Sequence, residues 1–432
     1  MIFSLLRPGD DSVNAYHPSP ADGPSAPAGC PAHPDAVRMH TEQLQTDPAE
    51  LYQRLRREHG PVAPILLDND IPAWYVLGYR ELHRVTSDPS LFARDSRRWH
   101  AWDYIPADWP LMPFVGYRPT MLFAEGAEHQ RRAEAMYDAL ASVDPFELRA
   151  ESERVADELI DTFAPSGHAE LMADYASQVP MRVVTRLFGL DPGMAAAIQR
   201  ETVEMVSATD DPVAAYQRVH DRMVALVAEV RGDPGMPGIP ARMAEHPAGL
   251  TDEEIVNDLI GTVYASHQST TDWIGNALRL MLTDERFAVT LAGGRRSVGQ
   301  ALNEVLWEDT PVPSFIGRWA AEDTVLGGQR IKKGDCLVLG LAAANADPSV
   351  RPDFQAGAAG NQAHMSFSYG EHGCPVPARE LAEVISMTAI EVLLDRLPDV
   401  ALAMPAEELE WRTSVWFRGV RALPVEFTPA LG

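Results

Sequence analysis

Phe367-Ser368-Tyr369-Gly370-Glu371-His372-Gly373-Cys374-Pro375 is the stretch on which the reading of this chain turns. A lone cysteine follows a loop with two glycines and precedes a predicted helix. Gly370 and Gly373 permit positive φ and close backbone approach. Backbone N–H groups can then face the sulfur, and the positive end of the following helix adds to them. Both effects favour the ionised thiol. A cysteine in such a setting is either a buried structural thiol or an activated thiolate.

Working outward, a helix is expected from just after Cys374 to about Leu397, and a β-hairpin over residues 408–428. Before the loop, residues 314–344 read as short strands, with turns at Gly327-Gly328 and Lys333-Gly334. A helix starts at Ser297, with Gln300 completing a capping box, and ends before Pro311. The clearest helix opens on the capping box Thr251-Asp252-Glu253-Glu254 and keeps its periodicity to about Thr283. At about 1.5 Å per residue it is roughly 48 Å long and must cross the molecule. His267, Gln268, Ser269 and Asp272 interrupt its apolarity, so it is not a membrane span. Further helices are expected near 47–58, 126–141, 146–164, 169–189, 193–207 and 211–231, with a loop over Arg231–Arg242. Ile65–Leu77 reads as β-type with a turn at Asp68-Asn69-Asp70. Residues 1–36 hold seven prolines and read as a disordered tail; residues 37–432 read as one domain. The fold class is mainly α with small β-sheets.

The 432 residues carry a net charge of −26, which argues against nucleic acid and against anionic membrane surfaces. Lysine occurs only at Lys332 and Lys333, so arginine supplies nearly all positive charge. Three cysteines, Cys30, Cys336 and Cys374, without paired spacing read as a reducing compartment. The apolar run Met1–Leu6 is too short for a signal peptide or an anchor, and a cytoplasmic protein is expected.

The cysteine segment resembles the haem-binding loop of cytochromes P450, Phe-x-x-Gly-x-x-x-Cys, and the resemblance covers about residues 40–428. It implies haem b held between the long central helix and the loop, with Cys374 as axial ligand. It also implies that Phe367 packs by the thiolate, that Gly370 shapes the loop, and that His372, His129 and Arg318 meet the propionates. Ala343–Pro348 is similar to the family's strand exit before the loop. The arginine usual four residues after the helix histidine is replaced by Ala133, and Arg131 or Arg132 is expected to substitute. Val376 stands where the family usually has Gly or Ala.

Ala265-Ser266-His267-Gln268-Ser269-Thr270 resembles the oxygen-activating Ala-Gly-x-acid-Thr-Thr run, with the acid replaced by Gln268 and the alcohol by Ser269. Serine keeps a hydroxyl, but a glutamine cannot give up a proton at physiological pH. Glu304-Val305-Leu306-Trp307 stands where the family carries Glu-x-x-Arg, and Gln362 where it has a second arginine near the loop. Glu304 is therefore expected to bond to backbone or to Trp307 Nε1, or to be protonated. With Asn361–His364 and Cys374-Pro375, this version resembles an atypical actinobacterial subgroup, some members of which sit beside GTPase and sensor-kinase genes.

The resemblance implies a monooxygenase-type oxidoreductase of secondary metabolism, with a small-molecule or short peptide substrate and a ferredoxin-type electron donor docking on a local basic patch that includes Arg131 and Arg132. Two alternatives stay open: cross-linking of aromatic side chains in a ribosomal peptide, and a haem-binding regulator without turnover. Trp99, Trp102, Tyr104, Trp109, Phe114, Tyr117 and Phe123 read either as an aromatic pocket wall or as ordinary core, with residues 190–232 as the opposing lid.

Overall fold

A computed structural model describes residues 36–39, 48–106, 109–190, 193–194, 196–198, 200–201, 212–233, 235–288, 296–351, 360–412 and 414–429. The tail expected over 1–36, with Cys30, lies outside them apart from Ala36, as does most of the helix expected near 193–207.

The first part of the chain lays down β1 (Val37–Arg38), helix α1 (Pro48–His59), β2 (Val62–Leu66), β3 (Pro72–Val76), helix α2 (Tyr79–Ser87) and β4 (Phe92–Ala93). The β2–β3 hairpin turns at Asp68–Asp70, as its polar triplet requires, with Asn69 and Asp70 at φ of 60° and 59°. Helices α3 (Gly126–Ala141) and α4 (Pro145–Phe163) follow, then β5 (His168–Glu170), helix α5 (Gln178–Leu187) and helix α6 (Pro212–Gly232). The single helix expected over 169–189 is broken for two physical reasons. Ala169 is drawn into a sheet, and Pro180 cannot sit in a helix interior, so α5 restarts just before it. Between them Met172–Ala176 makes a π-type turn against Gly275, where any Cβ would meet Met172 Sδ.

The long helix α7 (Asp252–Thr283, 32 residues) has the complete capping box, with Thr251 Oγ1 accepting from Glu254 N and Glu254 returning the bond. It is the axis of two apolar clusters. Its first half packs Ile255, Leu259 and Val263 against α3, α5 and α6. Its second half packs Ile274, Ala277 and Met281 against α4, α8 (Arg296–Glu308) and α9 (Val376–Arg396). Each buried Ile, Leu, Val or Met among them contributes about 1.5–3 kcal/mol. The Ser297 side chain, proposed as a cap, lies outside the described residues.

Strands β6 (Phe315–Ala320), β7 (Thr324–Leu326), β8 (Gln329–Ile331) and β9 (Cys336–Leu339) form as expected, but 341–345 is a helical turn. The main sheet has the order β1-β2-β3-β9-β6-β4. Residues 408–428 do not make a free-standing hairpin. β11 (Pro424–Glu426) pairs with both β10 (Ala401–Leu402) and β5, and among the described residues the stretch between is closed by the Trp411–Val420 bridge, with Arg412 N donating to Gly419 O (2.8 Å) and Arg421 N to Glu410 O (2.7 Å). Among the described residues, no helix is long and apolar enough to cross a membrane.

Candidate functional site

The cysteine loop is fixed by its own backbone. Ser368 N donates to Met365 O (2.7 Å), Gly373 N to Gly370 O (3.0 Å) and Cys374 N to Phe367 O (2.9 Å). These N–H groups are thus spent within the loop rather than aimed at the sulfur, which corrects the sequence expectation. Gly370 does take positive φ (+75°), and a Cβ there would collide with the carbonyl of Thr86 at the end of α2. Gly373 does not take positive φ. Burial pushes the Cys374 thiol up; the opposing influence is Arg379, which hydrogen-bonds it and favours its charged form. Arg379, one turn into α9, also donates from Nε to Cys374 O (2.7 Å) and lies over the Phe367 ring at 5.4 Å. No residue pattern in the loop pointed to it.

Phe367 sits where the resemblance puts it, beside the cysteine. Its ring meets Trp273 of α7 (5.8 Å) and His364 (5.7 Å), and His364 meets Trp307 (5.9 Å). Trp307 Nε1 donates to Asn361 O (2.8 Å), not to Glu304. In place of a charged network, the indole N–H and this run of rings tie α8 to the segment leading into the loop. Asn345 adds a second tie, donating to Leu306 O (2.9 Å) and accepting from Met365 N (2.7 Å). Glu304 is 9% exposed on α8.

A cluster of cations lies beside the loop. His129 on α3 and His372 in the loop pack ring against ring, centroids 3.9 Å apart and planes tilted by 49°. Arg318 reaches the same place because β6 bulges at Gly317, shifting its register against β9. Arg94, just after β4, is the fourth member, and nothing in its sequence context singled it out. Its guanidinium takes the volume that a Cβ on Gly317 would need, while Nε donates to Leu122 O (3.0 Å) and Nη1 to Gly317 O. Arg94 and Arg318 are 1% and 2% exposed, and no carboxylate among the described residues forms an ion pair with either. Arg94 Nη2, Arg318 Nε, His129 Nδ1 and His372 Nε2 are buried without a hydrogen-bond partner. Glu371 Oε1 lies 3.4 Å from His372 Nε2.

Each member raises the cost of charging the others. Burial first, then Arg94 and Arg318, push His129 down to about 4, and the same cations with His129 push His372 down further. Burial brings Arg318 down to about 10. His129, Glu371 and His372 are close enough to share a metal ion, but two adjacent arginines make that corner hostile to a cation. It is built for anions. Glu371 is the carboxylate that acts on Arg318, but it forms no ion pair with it, and two buried guanidinium groups without ion-paired acids fit the two carboxylates of a haem, as Cys374 fits its iron.

The expected substitutes for the missing helix arginine go elsewhere. Arg132 is clamped bidentately by Asp258 of α7 (2.7 and 2.9 Å), and Arg131 pairs with Glu254. Both are drawn to acids on α7, so neither joins the cluster, and their charge is spent for a docking patch too.

On α7, Gly261 and Ala265 are exposed although the helix crosses the protein, and a Cβ on Gly261 would meet nothing within 4 Å. The stripe continues with Gln268 and Ser269 and then Asp272, at helical spacing. Ser269 Oγ donates to Ala265 O (2.6 Å), and Gln268 Nε2 to Asp272 Oδ1 (3.0 Å). The aromatic stretch divides. Trp99, Trp109 and Phe123 are buried core, with Trp99 meeting Trp102 edge-on and Trp109 and Trp319 at a tilt, while Phe114 packs on Trp416 and Phe417.

His129 makes the apoprotein acid-labile. Its folded pKa of about 4 lies below the ordinary 6.5, so the unfolded chain takes up the proton first. Stability is intact above pH 6.5 and falls as pH drops toward 4, by about 3 kcal/mol for this group. Urea unfolding of the apoprotein at pH 7 and 4.5 should show the loss, and His129→Gln should reduce it, with His372 and His364 supplying the remainder.

No protein-family model matches the chain. Vitamin D(3) 25-hydroxylase of Pseudonocardia autotrophica is 29% identical over 393 residues, 89% of this chain and 94% of that protein. The cytochrome P450 monooxygenase PikC of Streptomyces venezuelae is 28% identical over 400 residues, 89% of this chain and 92% of that protein. Among solved structures, the cytochrome P450 PksS of the Bacillus subtilis 168 bacillaene polyketide synthase matches with a TM-score of 0.78 at 25% identity, covering 89% of this chain and 98% of that one. With the helix, loop and cation cluster already in place, these likenesses show that the chain has the fold of the bacterial cytochromes P450, the oxidoreductases that bind haem b through a cysteine thiolate.

Proposed function

We propose that the chain is a monooxygenase-type cytochrome P450 of bacterial secondary metabolism, with Cys374 as the iron ligand and Arg94, Arg318, His129 and His372 as the propionate cradle. The observation that carries this is the pair of buried arginines without ion-paired acids beside a cysteine loop. A bound thiolate-ligated haem supplies the electron donation that favours O–O cleavage. The chain's own residues do the rest. The loop holds the sulfur, Arg379 stabilises its charged form, and Ala265 and Ser269 line the helix face opposite. The substrate is a small organic molecule or a short peptide. Electrons come from a ferredoxin-type donor, which at a net charge of −26 needs a cationic face other than Arg131 and Arg132.

Gln268 favours a second reading within the same chemistry, the oxidative coupling of aromatic side chains, because a phenol can bring its own proton. The test is incubation of the reduced holoprotein with the products of neighbouring genes and mass spectrometry of the mixture. Gain of one oxygen supports monooxygenation, and loss of two hydrogens supports coupling. Absence of any product with several donors and with peroxide sinks both and leaves a haem-binding regulator.

A further inference from the structure

Asp272 is a carboxylate that the cysteine chemistry does not use. It is fully buried on α7, three residues beyond Ser269 and four beyond Gln268, on the stripe that carries Gly261 and Ala265. A helical side chain leans toward the helix N-terminus, so Asp272 lies back over that pair. Gln268 Nε2 bonds one of its oxygens (3.0 Å), and Arg412 Nη1 bonds the other (3.1 Å). The segment bearing Arg412 closes on α7 only because Gly419 has no side chain; a Cβ there would run into the Asp272 carboxylate. Arg412 N is tied to Gly419 O (2.8 Å), which fixes the turn. The far side of Arg412 lines an open pocket with Ala49, Tyr52, Glu308, Arg351 and Arg418. Arg412 thus spans from a solvent-facing pocket to a buried acid.

We propose that Asp272 stands in for the acid absent at position 268, holding a proton for the Gln268–Ser269 pair and exchanging it with solvent through the pocket behind Arg412. The inference rests on the oxygen-activating reading above and deepens it. The step is a proton transfer alone. The O–H bond of neutral Asp272 breaks, a solvent water entering along the exposed Gly261–Ala265 stripe takes its proton and gives one up on the Ser269 side, and the carboxylate left behind is held by Arg412 and the Gln268 amide. Solvent then returns a proton through the pocket, and electrons enter separately from the donor. Gln268 transfers no proton but answers to the state of Asp272. Toward the carboxylate it presents its NH₂ group; toward the neutral acid, which donates, it must present Oε1.

Burial places Asp272 at a useful proton affinity, up to about 6 against the pull of Arg412 and Gln268. The charged groups around it are few. Arg412 comes from the C-terminal segment, and Arg279, Asp309 and Arg418 form a closed ion-pair set where α8 ends. On α8 itself stands Glu304, and on α7 stands His267, which burial keeps neutral and whose Nε2 lies 3.2 Å from Ser177 O.

The experiment uses the reconstituted holoprotein and the variants Asp272→Asn and Gln268→Glu/Asp272→Asn. Each is first checked for the thiolate-type carbon monoxide band; its absence from the wild type overturns the family reading and this inference together. Dioxygen uptake driven by a ferredoxin, its reductase and NADPH is then followed from pH 5 to 8 in H₂O and D₂O, beside peroxide-driven guaiacol oxidation, which brings its own protons. The wild type should lose dioxygen uptake as pH rises through about 6. Asp272→Asn should lose at least about tenfold, with a flattened profile and an altered solvent isotope effect. The double variant should recover, and guaiacol oxidation in Asp272→Asn should fall by much less than dioxygen uptake. Equal loss in both reactions means a structural role and overturns the inference, as does an Asp272→Asn profile matching the wild type, while the family reading survives. Infrared spectra decide the matter even where the ferredoxin does not couple: a carboxylic C=O band that grows below about pH 6 must vanish in Asp272→Asn, and its persistence overturns the inference.

Discussion

Cys374→Ala should fold, should still take up haem, and should lose the red-shifted Soret band of its reduced carbon monoxide form together with all donor-driven oxidation. Three parts of the structure lead to this outcome. The loop is held by backbone bonds from Ser368, Gly373 and Cys374, none of which needs the sulfur, so its shape should survive. The cationic cluster lies on α3, β6 and the residue after β4 as well as in the loop, so haem uptake has an anchor independent of the thiolate. The sulfur itself is paired with one cation, Arg379, and removing it leaves that guanidinium its bond to residue 374's carbonyl, which alanine keeps. The measurement is a difference spectrum beside a haem titration. A variant that retains the red-shifted band would refute Cys374 as the ligand and direct attention to Cys336. That thiol is fully buried in β9 and pushed well up by its surroundings, which is the opposite of what a metal ligand requires.

How far the site was legible follows from where its determinants lie. The Thr251 capping box and the long periodic run of α7 are local, and the structure has both. The Phe367 to Cys374 spacing is local too. The C-terminal stretch failed because β11 finds its partners at β5 and β10, some 255 and 23 residues away, and alternation along one strand does not name its partner. Arg131 and Arg132 were attractive because they sit one turn from His129, but a side chain's destination is set by what faces it, and Glu254 and Asp258 face them. Arg94 and Arg379 were invisible for the same reason. One reaches the cluster only through the bulge at Gly317, and the other only because α9 begins immediately after the cysteine. Trp307 was visible as a departure, but its acceptor, the Asn361 carbonyl, was not, since a backbone oxygen has no sequence signature.

Arg94→Met should weaken haem binding while strengthening the empty protein. A buried charge without an ion-paired acid is a standing penalty that two carbonyl acceptors offset only in part, and the structure places Arg94 at 1% exposure, beside Arg318, with burial and that second cation both disfavouring its charged form. Methionine is close in length, carries no charge, and keeps contact with the Phe123 and Phe315 rings over which the guanidinium lies. Removing the charge therefore relieves the apoprotein, and its urea midpoint should rise. In the holoprotein the same change strips a carboxylate of its buried partner, at a cost of about 3–5 kcal/mol. That corresponds to a loss in haem affinity on the order of a hundredfold to a few thousandfold. Transfer of haem to apomyoglobin measures the second effect and denaturation of the apoprotein the first. The opposite signs are what make the test sharp. A residue that only packs the core would weaken both forms alike, and a residue that does nothing at the site would leave transfer unchanged. Arg131→Met, by contrast, should leave haem transfer at the wild-type rate, since its partner is Glu254.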